Sequence, residues 1–405
     1  MKALLKHIEG DKVIWMVALL LSLVSILAVY SSIGSLAVKE HATTYKYLIK
    51  HSVLLAMGFG VMLAVHRIPF KYFSKISTLL IWVAGFMLLF TLLFGADVNE
   101  AKRWIKIPFI NLTFQTSDFA KIVLITYVAR MLNQKRTHLH DFKNGVRPIL
   151  VPIMVYCGLI LPADFSTAAM LGLICFVLMY LGGVPVRHLL KIMGLGLAAL
   201  VLVYALGKAA PDLMPRFDTW TQRIDNFFNP EEEGNFQVNL AQYAIHDGGL
   251  LPAGPGSGNS LYLPHPYSDM IYAFIIQEYG SILGGIGVLL LYLIFLFRSV
   301  QISFKCPRHF GSMLALGLSV MLVLQALINM AVAVNLFPTT GQPLPLVSMG
   351  GTSTLFTCIA VGMILSVSRS VFNPESLEVT GNNRPKHTSG DTNTIRPSDT
   401  EYEIA

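Results

Sequence analysis

From Val13 to Ile33 the chain runs 21 residues without a charged side chain, which matches the roughly 20 apolar residues a helix needs to cross the hydrocarbon core of a bilayer. Charge-free runs recur at Ile76 to Phe94, Ile149 to Leu161 and Val288 to Phe297. Surrounded by lipid, such segments satisfy their backbone groups as helices. The whole sequence agrees, with 54% hydrophobic and 13% charged residues against about 25% charged in an ordinary soluble domain. The expected fold is therefore an all-α polytopic membrane protein. About ten transmembrane helices are read, near 13–33, 45–66, 77–95, 115–133, 147–162, 165–183, 189–208, 270–297, 310–334 and 346–371. A long extracytoplasmic loop, 209–269, separates helices 7 and 8. Residues 1–12 form a cytoplasmic N-terminus and 13–371 the membrane domain. Residues 372–405, rich in Asn, Thr, Ser, Pro and charge, form a disordered cytoplasmic tail.

The first run is too long for a signal-peptide core and lacks a small-residue cleavage pattern, so it is read as a retained helix. Cys157, Cys175 and Cys358 lie in apolar runs and Cys306 in a basic linker, which gives no disulfide framework. The net charge of +7 points to topology rather than to nucleic acid. With the N-terminus inside, 17 of the 30 Lys and Arg residues fall on the cytoplasmic face and 9 on the opposite face, as the positive-inside rule requires.

Several positions could carry chemistry. Asp269 ends the long loop just before the apolar stretch Met270 to Ile276. It, or Ser268, could cap a helix; a carboxylate at the headgroup level could also act as a general base on a sugar hydroxyl. Between helices 3 and 4, Lys102-Arg103-Trp104-Ile105-Lys106 is basic where the inside rule expects little charge. Phosphate recognition and interfacial anchoring both account for it. Asp118 and Lys121, three apart, share a helix face and suit an ion pair. Asp164 and Glu278 need a partner or a polar cavity, which keeps an ion path in play.

In the long loop, Arg216 and Arg223 precede Phe227-Phe228-Asn229-Pro230 and the acidic run Glu231 to Glu233, and Phe236 to Ile245 suits a short amphipathic helix. Gly254 to Gly258 reads as a turn, since it lacks the Gly-Lys-Ser/Thr ending of a phosphate loop. His246, Asp247 and His265 lack metal-ligand spacing. Asn335 to Ser353, with three Gly and three Pro, is non-helical at membrane depth and is expected to pack inside protein.

Four separated signatures resemble the SEDS family (shape, elongation, division and sporulation) of peptidoglycan glycosyltransferases. They are Lys102-Arg103-Trp104-Ile105 with Phe114 to Lys121; Pro162 to Thr167; Leu263 to Asp269 with Glu278-Tyr279-Gly280; and Pro338 to Pro345 with Ser348 to Ser353. Arg223 to Pro230 is closer to the division branch, FtsW-like, than to the RodA-like elongation branch. The resemblance implies polymerisation of lipid II at the outer face of the cytoplasmic membrane, at the division septum. It also implies a class B penicillin-binding transpeptidase and other divisome membrane proteins as partners, with membrane lipids around the chain.

By the same resemblance Asp269 is the essential carboxylate. Arg103, Trp104 and Lys106 lie by the donor site with Ser268 beside the base, and Arg216 and Arg223 hold pyrophosphate with a divalent cation, Mg or Mn. Asp118, Lys121, Asp164 and Glu278 serve as structural or ion-pair positions. Met349, Asp118, Ser166 and Leu240 depart from the usual residues, and Leu240 puts a specific role for its helix in question. Two rivals stand beside this reading: a lipid II flippase or ion-coupled transporter using Asp118, Lys121, Asp164 and Glu278, and a non-catalytic division scaffold.

Overall fold

A computed structural model of the chain describes residues 9–33, 44–98, 101–107, 112–209, 216–229, 236–258, 263 and 266–372. The N-terminal residues 1–8, the run Glu231 to Glu233, His265 and the tail from 373 lie outside the described residues, as do the side chains of Lys102, Arg103 and Lys106.

The helices in chain order are α1 (Lys12–Ser32), α2 (Thr44–Arg67), α3 (Lys71–Phe94), α4 (Thr116–Gln134), α5 (Arg147–Ile160), α6 (Phe165–Leu181) and α7 (Val186–Ala209). They continue as α8 (Phe217–Phe228), α9 (Phe236–Asp247), α10 (Ile271–Tyr279), α11 (Gly287–Lys305), α12 (His309–Ala333) and α13 (Thr352–Phe372). A π-helical segment, Gly280–Ile286, joins α10 to α11. Among the described residues seven helical stretches are long and apolar enough to cross a membrane, and α6, with 17 residues, is apolar but shorter. These seven stretches fall on seven of the ten expected spans and α6 on an eighth, while α4 and α5 occupy the spans 115–133 and 147–162 without being long and apolar enough by the same measure; the chain is a multi-pass membrane protein.

The packing follows side-chain character. α12 is apolar on nearly every face and is surrounded by α4, α6, α10, α11 and α13. α7, by contrast, buries only His188, Leu189 and Gly207 and turns its other apolar side chains outward, as a helix solvated by lipid does. Asp11 caps α1 through the amides of Val13 and Ile14 and also binds the Arg298 guanidinium of α11, tying the first helix to the core. The four cysteines are free.

The segment read as a loop between helices 3 and 4 is instead an antiparallel sheet of β1 (Ala96–Val98), β2 (Ala101–Ile107) and β3 (Leu112–Gln115). Trp104 stands opposite Gln115, and Lys106 opposite Thr113. β3 is fastened at its end: Phe114 sits edge-on to Phe356 of α13 at 5.3 Å and near Phe119 of α4 at 6.4 Å. Thr352 Oγ1 donates to the Thr113 carbonyl at 3.0 Å. The sheet thus lies across the ends of α3, α4 and α13.

The long loop is also more ordered than a connector. α8 carries Phe217, Trp220, Ile224 and Phe227 at helical spacing, and Trp220 lies 5.2 Å from the Phe165 ring of α6. α9 matches the expected amphipathic helix and packs Val238, Ala241 and Ala244 against α10 and α12.

Candidate active site

Residues 266–270 form a turn that delivers Asp269 to the start of α10. The helix begins at Ile271, its N-cap is Met270, and no side chain caps it. The capping role considered for Asp269 and Ser268 is therefore overturned. The chain passes the cap position before a helix amide is in reach, and Asp269 keeps its carboxylate for other use. Ser268 Oγ donates to Asp269 Oδ1 at 2.9 Å.

The backbone of this turn is held from below by the non-helical segment after α12. Met349 N donates to Tyr267 O at 2.8 Å, and Ser348 Oγ to Ser268 O at 2.7 Å. Asn329 Nδ2 donates to Asp269 O at 2.8 Å. From Thr340 on the segment is packed in protein, as its composition required, with Thr340, Gln342, Leu344, Leu346, Val347 and Ser348 buried, whereas Leu336 and Phe337 at its start are exposed. Gln342 Nε2 reaches Thr167 Oγ1 at 2.7 Å, and Ser25 Oγ donates to Val347 O at 2.7 Å. Gly341 has φ 67°, a left-handed conformation that glycine adopts without strain. A Cβ there would stand 3.7 Å from Asp269 Oδ2, so the carboxylate faces this residue.

Three cavities meet at this wall. A polar cavity of about 440 Å³ lies toward the sheet, between Trp104, Gln115, Asp118, Ser268 and Asp269. A second, of about 290 Å³, lies toward α8 and α9 and is lined by Gln222, Asn226, Gln237, Asp269, Asn329 and Asn335. The third, about 350 Å³ and largely apolar, runs between α6, α8 and α12 past Phe165, Met170, Leu173, Trp220 and Ile328. Asp269 borders both polar cavities, whereas Arg223, Thr340 and Gln342 border all three.

Both loop arginines are positioned. Arg216 precedes α8 and Arg223 lies seven residues on, which in a helix is about two turns further along a similar face. Arg216 Nη1 donates to Ala163 O at 2.9 Å and Arg223 Nη1 to Thr339 O at 3.1 Å. Their guanidinium groups thereby stand where the apolar cavity opens to the sheet-side polar one. Two cations at the mouth of an apolar cleft suit an amphiphile with a phosphate headgroup.

The other expected residues have structural partners. Lys121 Nζ lies 2.8 Å from Asp118 Oδ1, with both side chains buried, and also donates to Gln325 Oε1 at 3.4 Å. Asp164 caps α6, accepting from Thr167 N at 3.1 Å. Glu278, fully buried, accepts from Gly256 N at 2.7 Å, while its carbonyl takes the amides of Ala253 and Gly254. The Gly-rich turn is thus docked on Glu278, and among the described residues these contacts of the four charges form three sets: Asp118 with Lys121, Asp164 with Thr167, and Glu278 with the Gly-rich turn. Asp247 Oδ2 accepts from Gln277 Nε2 at 3.0 Å.

Among the described residues no three His, Cys, Asp or Glu side chains converge on a metal-sized site. The sheet-side cavity is lined by Asp118, whose buried Oδ2 has no partner among the described residues, and by Asp269. That donor set does not cage a cation. It does fit a hard divalent ion that keeps most of its shell as water and phosphate oxygens.

Sequence reasoning passed over Asn329 and Gln325. Both are amides four residues apart in an otherwise apolar 25-residue helix, and that contrast was the available signal.

Residues 11–373 match the family described as cell cycle proteins that groups FtsW, RodA and SpoVE. A probable peptidoglycan glycosyltransferase FtsW of Geobacter sulfurreducens is 31% identical over 375 residues, covering 90% of this chain and 96% of the relative. The stage V sporulation protein E of Bacillus subtilis is 28% identical over 372 residues, covering 90% and 98%. Among solved structures, a chain from a peptidoglycan synthase complex that coordinates polymerization and crosslinking superposes with a TM-score of 0.72 at 23% identity, covering 90% of this chain and 99% of that one. The rod shape determining protein RodA of Thermus thermophilus gives 0.62 at 22% identity, covering 90% and 98%. These likenesses establish the same fold.

Proposed function

The chain belongs to the FtsW, RodA and SpoVE family of cell cycle proteins, and from that premise we propose how it works as a peptidoglycan glycosyltransferase: it polymerises lipid II into glycan strands, with Asp269 as general base. The observation that carries this reading is the uncapped Asp269 carboxylate on a wall between two polar cavities, beside an apolar cleft with two arginines at its mouth.

The sheet-side cavity takes the donor, its pyrophosphate against Arg216 and Arg223, its sugar near Trp104, and its polyprenyl chain in the apolar cleft. The α8–α9 cavity takes the acceptor sugar. Asp269 removes the proton of the acceptor 4-hydroxyl as that oxygen bonds to the donor anomeric carbon. The bond from that carbon to the pyrophosphate oxygen breaks, and the lipid pyrophosphate leaves with both electrons. Ser268, donating to Oδ1, orients the carboxylate so that Oδ2 is the basic oxygen. Arg216 and Arg223 stabilise the growing negative charge on the leaving group. Asp118, together with the phosphate oxygens of the donor, would hold a divalent cation, which would supply further charge neutralisation. Arg103 and Lys106, on the strand that carries Trp104, add to the donor site.

The chain crosses the cytoplasmic membrane ten times with both termini inside and the site outside, at the division septum. It works with a class B penicillin-binding transpeptidase, a pairing supported by the synthase complex whose chain shares this fold, and with other divisome membrane proteins. Purified protein with that partner, given lipid II and Mg or Mn, makes glycan polymer, and Asp269→Asn makes none. Polymer from Asp269→Asn at the wild-type rate would show that Asp269 is not the base. Normal septation in cells carrying that variant would point to a scaffold.

A further inference from the structure

α12 is apolar along most of its length but carries Gln325 and Asn329 one turn apart on its buried face. Gln325 is used on both sides: Oε1 accepts from Lys121, and Nε2 donates to Pro343 O at 2.9 Å. Asn329 is used on one side only. Its Nδ2 spends both hydrogens, one on Asp269 O and one on Gln342 O, each at 2.8 Å.

Those two contacts fix the amide orientation, because a half-turn of the group would set Oδ1 against two carbonyl oxygens. Oδ1 is therefore an acceptor only. The residue is 1% exposed, Oδ1 has no partner among the described residues, and Asn329 lines the 290 Å³ cavity that Asp269 borders. A buried amide oxygen without a hydrogen-bond donor carries the cost of its desolvation uncompensated, so a ligand that brings a donor there makes a bond the surrounding side chains do not supply.

We infer that Asn329 reads the acceptor sugar: its Oδ1 accepts a hydrogen bond from a hydroxyl or acetamido N–H of the sugar in the α8–α9 cavity, while its amide nitrogen holds the Asp269 backbone against the Gln342 carbonyl. One side chain thereby ties sugar position to base position. This rests on the glycosyl-transfer reading of the cavity. A pocket that offers a fixed acceptor discriminates against a substrate lacking the matching donor more sharply than an apolar pocket discriminates by shape.

The test uses full-length Asp269→Asn protein, which binds without turnover, and compares lipid II with analogues in which one donor of the acceptor sugar is removed, by deoxygenation or by N-methylation of the acetamido group. With Asn329 intact, one analogue binds about 10-fold more weakly than lipid II, the size of one lost hydrogen bond. In the Asn329→Leu background that analogue and lipid II bind alike. Asn329→Gln, which keeps the amide but displaces it, gives a second background should Asn329→Leu fold poorly, and it too loses the discrimination. If every analogue is discriminated equally in all three backgrounds, or in none, the inference is overturned while the glycosyltransferase reading stands. Failure of lipid II to bind at all overturns both.

Discussion

The Asp118–Lys121 pair offers a quantitative test of how the sheet-side cavity is built. The two groups are 2.8 Å apart, with Asp118 6% and Lys121 4% exposed. At an effective dielectric of about 20 their attraction is about 6 kcal/mol. Much of that is offset by the several kcal/mol each ion loses in leaving water, and the net cost of removing one partner is about 3–5 kcal/mol, because the other charge stays buried and alone. Among the described residues Asp118→Leu leaves Lys121 with only the 3.4 Å contact to Gln325, so the unfolding midpoint of the variant in detergent falls well below wild type. Asp118→Leu with Lys121→Met removes both charges and returns most of the lost stability, since an apolar pair of similar volume is close to neutral. Polymerisation separates from stability here. Asp118 Oδ2 has no partner among the described residues and Asp118 lines the cavity, so the double variant is stable yet makes less glycan. A single variant as stable as wild type would refute the energetic argument, and a double variant as unstable as the single would place the cost in packing rather than charge. Full polymerisation by the double variant would remove Asp118 from the site.

Two further outcomes follow from close contacts. A Cβ at Gly207 of α7 would lie 2.2 Å from Phe217 Cδ2 of α8, so Gly207→Ala lowers thermal stability and glycan synthesis together; Phe217→Leu in the same chain restores both, and no restoration means the contact is not the cause. Ser348 Oγ donates to Ser268 O and accepts from Leu344 N, so Ser348→Ala costs about 2 kcal/mol for two hydrogen bonds and lowers kcat with little change in KM, while Ser348→Thr retains most of the rate; a KM effect alone contradicts that role.

The helical architecture was legible because lipid solvation leaves the apolar runs few options. The Asp118–Lys121 pair was legible because helical periodicity alone brings those two together. So was the packed state of the greater part of Asn335 to Ser353, from Thr340 on, whose prolines and glycines exclude a lipid-facing helix. The sheet was not. β2 carries Lys102, Arg103 and Lys106 in a short stretch without clean alternation, and its pairing with β3 depends on Phe114 finding Phe356 more than 200 residues away. α8 has a legible period in Phe217, Trp220, Ile224 and Phe227, but Asp218, Arg223 and Asp225 between them suit a solvated loop equally well. The fate of Asp269 turned on a two-residue offset between the carboxylate and the first turn of α10. Local sequence does not encode that offset; the carbonyl contacts from Asn329 and Ser348 create it.

The apolar path from α10 through the π-helical segment to α11 has 35 residues, about 52 Å at about 1.5 Å per residue, against a hydrocarbon core of about 30 Å. The excess is carried by α10, where every residue from Ile271 to Glu278 is buried beneath α1, α9 and α12. Its apolar surface is sheathed by protein rather than by lipid tails. The height of Asp269 is accordingly set by packing within the chain, and bilayers of different thickness leave its distance from Asn329 unchanged. With Asp269 as the proposed base, what membrane thickness alters is how far a lipid-anchored substrate must rise to reach the carboxylate, so acyl-chain length acts on substrate delivery and spares the geometry of bond formation.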